Sequence, residues 1–309
     1  MIGHRSTLSN LEGLFMRIGG FQLRDPGPEL KESYVLATLR PWIDINNVGT
    51  LVLKELTEQF GAMEIGKLSK PGLFYDFTRY RPTIHLDEGI RDISIPNTTV
   101  RYAKREGQND LLLLRLLEPH THSEFYIDSV VKLLKAFNAK KYILLGGMYD
   151  AVPHTRPLLI SGYGMGGKAL QDVGKVGALP ITYRGPSTIA NVITKRAAES
   201  GIEAIVFIVS LPRYVVVEED RAGKARLMEI LNTLYDIPLN RDDFEKALEQ
   251  RTLISARVKN SPEMKILLPE LENAYAMRMK TLEAEGRPHL TPEMEEVFWK
   301  TMGKDIGKA

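Results

Sequence analysis

The chain has 309 residues, of which 43% are hydrophobic and 26% are charged, so it is long enough to bury a large core. It contains no cysteine, which excludes disulfides, thiol catalysis and thiolate metal sites. The formal net charge is +2, and lysine and arginine are scattered along the sequence. This charge pattern predicts neither a nucleic-acid partner nor attraction to an anionic membrane.

The apolar runs are too short for a membrane span. The two longest, Leu111–Leu117 and Ala204–Leu211, fall well below the roughly 20 residues that a helix needs to cross a bilayer. The polar segment Met1–Asn10 lacks the apolar core of a signal peptide. We therefore predict a soluble, cytoplasmic protein without a membrane partner.

Three segments are predicted along the chain. Residues 1–33 contain several glycines and prolines and no lasting periodicity, which predicts a loose N-terminal arm. Residues 34–239 alternate aliphatic strands with helices, which indicates an α/β core domain around a largely parallel sheet. Residues 240–309 are charged and helical in pattern, which predicts a helical C-terminal extension.

Capping signals divide the C-terminal extension into helices. Asn240 is predicted to cap the first of them. Ser261 and Thr291 are each followed by a proline and an acid, which marks two further helix starts. Pro269 is predicted to break or restart the helix that follows Ser261, because proline lacks the backbone N–H and crowds the preceding turn.

Four polar loops follow predicted strands of the core, namely Trp42–Gly49, Glu118–His122, Gly146–Arg156 and Pro212–Tyr214. Ligands of open α/β sheets bind beyond the carboxyl ends of the strands, so all four loops are predicted to share one rim. In the third loop, glycines at 146 and 147 are expected to allow close backbone approach and positive φ.

His154 and Arg156 are the strongest candidates for chemistry, since they suit anion binding or proton transfer. Alternatively, Arg156 forms an ion pair with a carboxylate such as Asp44 and braces the loop. Asp44 itself is either a general base or a carboxylate that fixes its own loop by hydrogen bonds. The sequence shows no Ser-His-Asp order and no paired carboxylates, so no catalytic residue is predicted.

Three weaker motifs are expected to be structural. The segment Glu118–His122 contains His-x-His, but further metal ligands would have to come from distant loops, so neither a metal nor a cofactor is predicted. The segment Gly162–Ala169 follows phosphate-loop spacing only as far as Lys168, because alanine follows where serine or threonine is needed. The segment Tyr183–Ser187 either offers free N–H groups to an anion or simply starts a helix.

Eight short pieces of sequence follow one another in a specific order and spacing over about Tyr34–Tyr235. They are Trp42-x-Asp44-x-x-Asn47-x-Gly49, Tyr75-Asp76, Arg81-Pro82, Glu118-Pro119, Gly146-Gly147, Pro153-His154-Thr155-Arg156-Pro157, Tyr183-x-Gly185-Pro186 and Pro212-x-Tyr214. As a set, they resemble the proteasome assembly chaperone 2 family, and the length and helical extension are similar to its prokaryotic branch.

The resemblance implies a three-layer α/β/α sandwich similar to nucleoside phosphorylases and related hydrolases. It also implies a homo-oligomer, with a trimer suggested by analogy of fold, and a protein partner of unknown identity. The docking tails of such chaperones end in a hydrophobic residue, a tyrosine and any residue. This sequence ends Gly307-Lys308-Ala309, so docking through such a tail is not expected.

We therefore predict a chaperone-like protein-binding or assembly factor and favour the absence of enzymatic activity. The alternative is a nucleoside phosphorylase-like enzyme or sensor with a rim cleft around His154 and Arg156. The residues predicted to form the ligand or partner cleft are Trp42, Asp44, Asn47, Gly49, Gly146, Gly147, His154, Thr155, Arg156, Gly185, Pro186 and Tyr214.

Overall fold

The structure is a computed structural model that describes residues 15–24, 28, 32–87 and 89–284. The strands of this part are β1 (Phe15–Ile18), β2 (Phe21–Arg24), β3 (Ser33–Arg40), β4 (Met63–Leu68), β5 (Thr83–Asp87), β6 (Ile90–Ser94), β7 (Thr99–Ala103), β8 (Asp110–Leu117), β9 (Ala139–Asp150), β10 (Ile160–Met165), β11 (Leu179–Pro180) and β12 (Glu203–Pro212). The helices are α1 (Val48–Phe60), α2 (Ser123–Ala136), α3 (Ala169–Lys175), α4 (Ile189–Glu199), α5 (Arg221–Tyr235), α6 (Arg241–Lys259) and α7 (Pro262–Ala284).

A ten-stranded sheet forms the centre of the fold, in the order β1-β2-β4-β7-β8-β3-β9-β12-β10-β11. The four central strands β8, β3, β9 and β12 run parallel to one another. On either side, β7 and β10 join them in antiparallel orientation. The sheet is therefore parallel where the sequence has near-continuous aliphatic runs and more mixed at its sides than predicted.

Helices cover both faces of the central strands. Val130 of α2 and Ile193 of α4 belong to the apolar core on one face. Val52 of α1, Val173 of α3 and Leu227 of α5 belong to the core on the other face. The prediction of a three-layer α/β/α arrangement is confirmed, since each helix buries one apolar stripe against the sheet.

The N-terminal arm is more ordered than predicted within its described residues. β1 and β2 form an antiparallel hairpin, and β2 pairs with β4, so the arm extends one side of the sheet. Phe21 and Leu23 are buried while Gln22 between them is not. This alternation lasts only four residues, which is too short to stand out among the surrounding glycines and prolines. The division of the chain into three segments stays a prediction.

The helical extension packs back onto the core. Asn240 caps α6 as predicted, because its side chain accepts a hydrogen bond of 3.1 Å from the backbone N–H of Asp242. In α7, Tyr275 and Met279 pack against Val152, which follows β9. Pro269 lies inside α7 without ending it, so that prediction is wrong. The expected helix start at Thr291 lies outside the described residues.

Two further features complete the description. Strands β5 and β6 pair only with each other and form a small exposed hairpin apart from the main sheet. Among the helices in the described ranges, none combines the length and the apolar character required to cross a bilayer.

Candidate functional site

The four predicted loops meet at one edge of the sheet. Strand β3 ends at Arg40, β8 at Leu117, β9 at Asp150 and β12 at Pro212, and these parallel strands all point toward the same edge. The loops that follow them are called the rim below. The prediction that these segments share one edge is thus confirmed, because it depended only on strand order and direction.

Gly146 and Gly147 lie inside β9 rather than in the loop that follows it. The backbone N–H of Gly147 donates a 2.8 Å hydrogen bond to the carbonyl oxygen of Ile43. A Cβ atom at position 146 would overlap the same oxygen. The expected close approach is confirmed, whereas the expected positive φ is wrong, since both residues have ordinary strand conformation.

Gly49 has a packing role at the start of α1. A Cβ atom at this position would overlap the side chain of Thr38 and lie 2.9 Å from the carbonyl oxygen of Leu145. Glycine therefore lets α1 lie close to β3 and β9. This residue shapes the rim from beneath and does not face a cleft.

Asp44 fixes its own loop. Its carboxylate accepts hydrogen bonds from the backbone N–H of Thr50 at 3.0 Å and from the Thr50 hydroxyl at 2.5 Å. It also pairs with Arg40 at 3.4 Å. Burial raises the pKa of Asp44, and the bonds from Thr50 and the charge of Arg40 oppose that rise. The predicted alternative that Arg156 pairs with Asp44 is wrong, because Arg40 at the end of β3 occupies that position.

Three exposed apolar side chains stand on the rim beside this loop. Trp42 is 64% exposed, Met148 47% and Tyr149 42%. The loop that carries Trp42 is bonded to β9 through Ile43, and the Tyr149 hydroxyl donates a 3.0 Å hydrogen bond to the side-chain oxygen of Asn46. The two backbone segments are thereby held next to each other. Because Met148 and Tyr149 are consecutive in β9 and point to opposite faces of the sheet, only Trp42 and Tyr149 are called the rim platform below.

Asn47 joins the same loop to the segment after β12. Its side-chain N–H donates to the backbone oxygen of Glu218 at 3.0 Å. The backbone oxygen of Asn46 accepts a 2.9 Å hydrogen bond from Asp220, which in turn caps α5 by accepting from Gly223 at 2.8 Å. Both asparagines have positive φ, a conformation that asparagine tolerates better than most residues. Asn47 is therefore placed to order the rim.

His154 is buried within a chain of hydrogen bonds. The Tyr214 hydroxyl accepts from the backbone N–H of His154 at 2.7 Å and lies 2.6 Å from its Nδ1, while Nε2 lies 3.1 Å from the Ser255 hydroxyl. Burial lowers the pKa of His154, nearby Arg251 lowers it further, and Glu272 opposes this. A neutral imidazole with its proton on Nε2 satisfies every one of these bonds.

The predicted closeness of His154 and Tyr214 agrees with the structure, whereas the partner Ser255 on α6 was not foreseen. Thr155, the next residue, donates its hydroxyl hydrogen to the carboxylate of Glu272 on α7. Both predicted residues thus connect the loop after β9 to the helical extension. Their polar groups are occupied by structural bonds.

Arg156 faces an open cleft between the rim and helices α5 and α6. The cavity that it encloses measures about 50 Å³, well below the roughly 300–1,000 Å³ that is usual for small-molecule sites. Arg156 itself forms no ion pair or hydrogen bond with any residue that the structure describes. The lining residues are His154, Arg156, Leu158, Pro212, Val215, Asp220, Ala222, Arg226, Glu229, Ala247, Leu248, Arg251 and Ile254.

The lining includes charged residues that sequence reasoning missed. Arg226 of α5 bonds to Glu229 at 2.6 Å and to the backbone oxygen of Leu158 at 3.1 Å. Arg251 of α6 approaches from the opposite wall. These residues lie on the polar sides of amphipathic helices, where charge is expected in any case, so no local signal distinguishes them.

The structure separates the predicted site into two places. Trp42, Asp44, Asn47 and the glycines belong to the rim platform and its support, whereas His154 and Arg156 belong to the cleft. Gly185 and Pro186 lie in neither, because they are exposed and precede α4 on the opposite face of the sheet. A role of these residues in binding a ligand or partner stays a prediction.

The His-x-His segment serves its own loop. The Nδ1 atom of His120 accepts a 3.0 Å hydrogen bond from the backbone N–H of Asp76, and His122 precedes the first turn of α2. Within the described ranges, no three potential metal-ligating side chains come together. Neither histidine is placed to form a metal centre with other described residues.

Comparison with known proteins assigns the family. The family model described as PAC2 matches residues 38–256, which is more than half of the chain. The chain belongs to the PAC2 family. The match ends within α6, so it includes the rim and every residue that lines the cleft but not α7. The PAC2 resemblance inferred from the rim motifs is confirmed.

Solved structures share the PAC2 fold at low identity. A Mycobacterium tuberculosis proteasome-assembly chaperone homologue is 21% identical, with 76% of this chain and 99% of that chain covered at a TM-score of 0.68. A Mycobacterium tuberculosis protein of unknown function is 22% identical, with 88% and 93% covered at 0.75. PbaB of Pyrococcus furiosus, an archaeal proteasome activator, is 13% identical, with 74% and 95% covered at 0.56. No curated protein matches the sequence.

Proposed function

We propose that this PAC2 protein is a protein-binding assembly factor that performs no chemistry of its own. Membership of the PAC2 family supports a chaperone-like role, as does the fold shared with a protein described as a proteasome-assembly chaperone homologue. The arrangement of His154 agrees with the proposal, since both ring nitrogens are held by Tyr214 and Ser255. A histidine held in this way positions a loop.

The observation that carries the proposal is the rim platform. Trp42 and Tyr149 expose large apolar surface at the end of a sheet whose other large side chains are mostly buried. Tryptophan and tyrosine are enriched at the centres of protein interfaces, where they bury much area with little loss of conformational freedom. A protein subunit, including a second copy of this chain, is the ligand that such a surface fits. A homo-oligomer, with three subunits by analogy of fold, stays a prediction.

Replacing both Trp42 and Tyr149 with alanine is expected to weaken protein association by about 2 kcal/mol or more, or roughly 30-fold in affinity, as for interface hot spots. The measurement is the molar mass in solution across a concentration series, combined with recovery of partners by the tagged chain. Leu170→Ala with Val192→Ala is the matched control, because both side chains are exposed on helices away from the rim. A monomeric wild-type chain that recovers no partner would overturn the proposal.

A second candidate function is the binding of a small anionic molecule in the cleft. Arg156 lines this small cleft without a partner among the described residues. Arg226, which also lines the cleft, already forms an ion pair with Glu229. A guanidinium that lacks an internal partner is well suited to a phosphate or carboxylate. This arrangement supports a sensor more than an enzyme, since the histidine nearby is held by neighbours.

If the cleft binds such a molecule, nucleoside phosphates or sugar phosphates should raise the melting temperature of the wild-type chain. A ligand present at 100 times its Kd adds about 2.7 kcal/mol to the stability of the folded state. Arg156→Ala is expected to abolish that gain. Arg213→Ala is the control, because Arg213 is an exposed arginine at the rim that does not line the cleft. Equal stabilisation of the Arg156→Ala and Arg213→Ala variants would exclude this function. The absence of any stabilisation of the wild type would exclude it as well.

A further inference from the structure

One face of the sheet collects basic side chains that are far apart in the sequence. Strands β1, β2, β4, β7, β8 and β3 lie side by side, and alternate residues in them point away from the core that includes α2 and α4. Six cationic side chains share this side and are called the basic face. They are Arg17, Arg24, Arg40, Lys67, Arg101 and Arg115.

Strand register places three of these cations in one row. Arg17 lies opposite Gln22, which lies opposite Lys67. Lys67 in turn lies opposite Thr99, which lies opposite Arg115. Directly opposed residues point to the same side of a sheet. Neighbouring strands are about 4.8 Å apart. Lys67 therefore lies about 10 Å from Arg17 on one side and about 10 Å from Arg115 on the other.

The neighbours of these residues show which way they point. Leu23 and Leu68 are buried in the core with α2 and α4, so the adjacent Arg24 and Lys67 point to the opposite side. Helix α1 covers part of this side over β3, β7 and β8, and beyond it four of the six cations are exposed to solvent. They are Arg17, Arg24, Lys67 and Arg115.

The face carries more positive charge than its own carboxylates compensate. Asp44 is buried against Arg40, and Glu64 pairs with Arg101 at 3.7 Å. The four exposed cations have no ion pair with any described residue. Burial and repulsion from Arg40 and Arg101 lower the pKa of Arg115, and Asp44 opposes this only in part. An additional negative charge would relieve that repulsion.

We propose that the basic face binds an acidic segment of a partner protein. The inference names the chemistry of the partner and so rests on the proposed protein-binding role, although it uses a surface separate from the rim platform. Guanidinium groups bind carboxylates through two parallel hydrogen bonds, and five of the six cations here are arginines. An extended segment of about six residues would span the roughly 19 Å from β1 to β8.

The composition of the face favours a protein over a nucleic acid. Sheets that bind single-stranded nucleic acid present aromatic side chains on which bases stack. Between the cations, this face presents glutamine and threonine. Of the aromatic residues on this side of the described strands, Phe15 lies on the outermost strand and Tyr34 packs against Tyr235. Positive charge attracts both an acidic protein segment and a nucleic acid. Most bases of a nucleic acid, however, would find no aromatic side chain on which to stack.

The test uses the full-length chain and two labelled probes, a decapeptide of alternating glutamate and serine and a uridine decamer, with binding followed by fluorescence anisotropy at physiological salt. Lys67→Glu with Arg115→Glu is expected to weaken peptide binding by about tenfold or more, since each reversal replaces an attraction of up to about 1 kcal/mol by repulsion. The milder pair Lys67→Gln with Arg115→Gln should show a smaller loss and guards against misfolding of the reversed pair.

Lys132→Glu with Lys195→Glu makes the same change in net charge on exposed positions of α2 and α4, across the sheet from the basic face. Less than a twofold loss in this control supports the proposal. An equal loss in both reversed pairs, no binding of the peptide, or tighter binding of the uridine decamer would overturn it. Because Trp42→Ala with Tyr149→Ala leaves the basic face intact, the two proposals can fail independently.

Discussion

Gly146→Val is expected to destabilise the folded chain by about 3 kcal/mol, near the upper end of the usual cost of overpacking. A side chain at this position would run into the carbonyl oxygen of Ile43, which belongs to the backbone of the rim loop. That oxygen cannot withdraw easily, because it accepts the hydrogen bond from Gly147. The measurement is the free energy of unfolding by urea, compared with wild type at one pH.

The control for this prediction is Gly174→Ala in α3. A Cβ atom there has no neighbour within 4 Å, and the residue has helical conformation. Alanine is a better helix former than glycine, so this variant should gain about 0.5–1 kcal/mol. A Gly146→Val chain as stable as wild type would mean that the loop and β9 are not in the contact described here.

Lys141→Met is expected to cost about 3 kcal/mol at neutral pH, because it leaves the carboxylate of Glu203 without its cation and Asp172 with only Lys175 at 3.2 Å. The ammonium group of Lys141 lies 2.6 Å from the carboxylates of both Asp172 and Glu203, and all three side chains are largely buried. The lysine also lies 5.9 Å from the ring centres of Tyr34 and Tyr235. The effect is measured as the free energy of unfolding by urea. Lys195→Met is the control, because it removes the cation of an exposed ion pair with Glu199.

The pH dependence distinguishes lost charge pairing from lost packing. Burial raises the pKa of Glu203, but the hydrogen bond and charge of Lys141 and the backbone N–H of Lys168 outweigh burial and leave that pKa lowered. A lowered carboxyl pKa contributes stability above its ordinary value of 4.5, and this contribution disappears as pH falls through the folded-state pKa.

For Lys141 the sign is reversed. Burial lowers the pKa of Lys141, yet Asp172 and Glu203 outweigh burial and leave it raised. That contribution is complete below the ordinary value of 10.5 and is lost as pH rises through the raised pKa. The difference in stability between wild type and Lys141→Met should therefore be largest between about pH 5 and pH 10 and shrink in acid. A difference that is constant from pH 3 to pH 7 would indicate a packing effect instead.

The centre of the fold follows from local sequence, and its sides do not. The aliphatic run Leu111–Leu117 predicts a strand buried on both faces, and only Arg115 interrupts that burial. β1 and β2 are four residues each, and their pairing with β4 depends on contacts distant in sequence. Pro269 was expected to end a helix, but in α7 the surrounding turns compensate for the single lost N–H.

The candidate site was predictable only where it depends on strand order. Parallel strands bring their following loops together, so the neighbourhood of His154 and Tyr214 could be inferred. The cleft wall comes from α5 and α6, whose orientation depends on side-chain packing rather than on any motif. The basic face was invisible for a related reason, since its cations alternate with buried leucines and valines in six separate strands. Scattered charge in the sequence becomes clustered charge in the sheet.

The bonds that hold the rim loop have a thermodynamic consequence for recognition. The backbone bond from Gly147 to Ile43 and the bond from Tyr149 to Asn46 order the platform before any partner arrives. Ordering loops and side chains at an interface is one of the main entropic costs of association. A partner that meets this preformed surface avoids much of that cost, so even a small contact area there favours rapid and reversible docking.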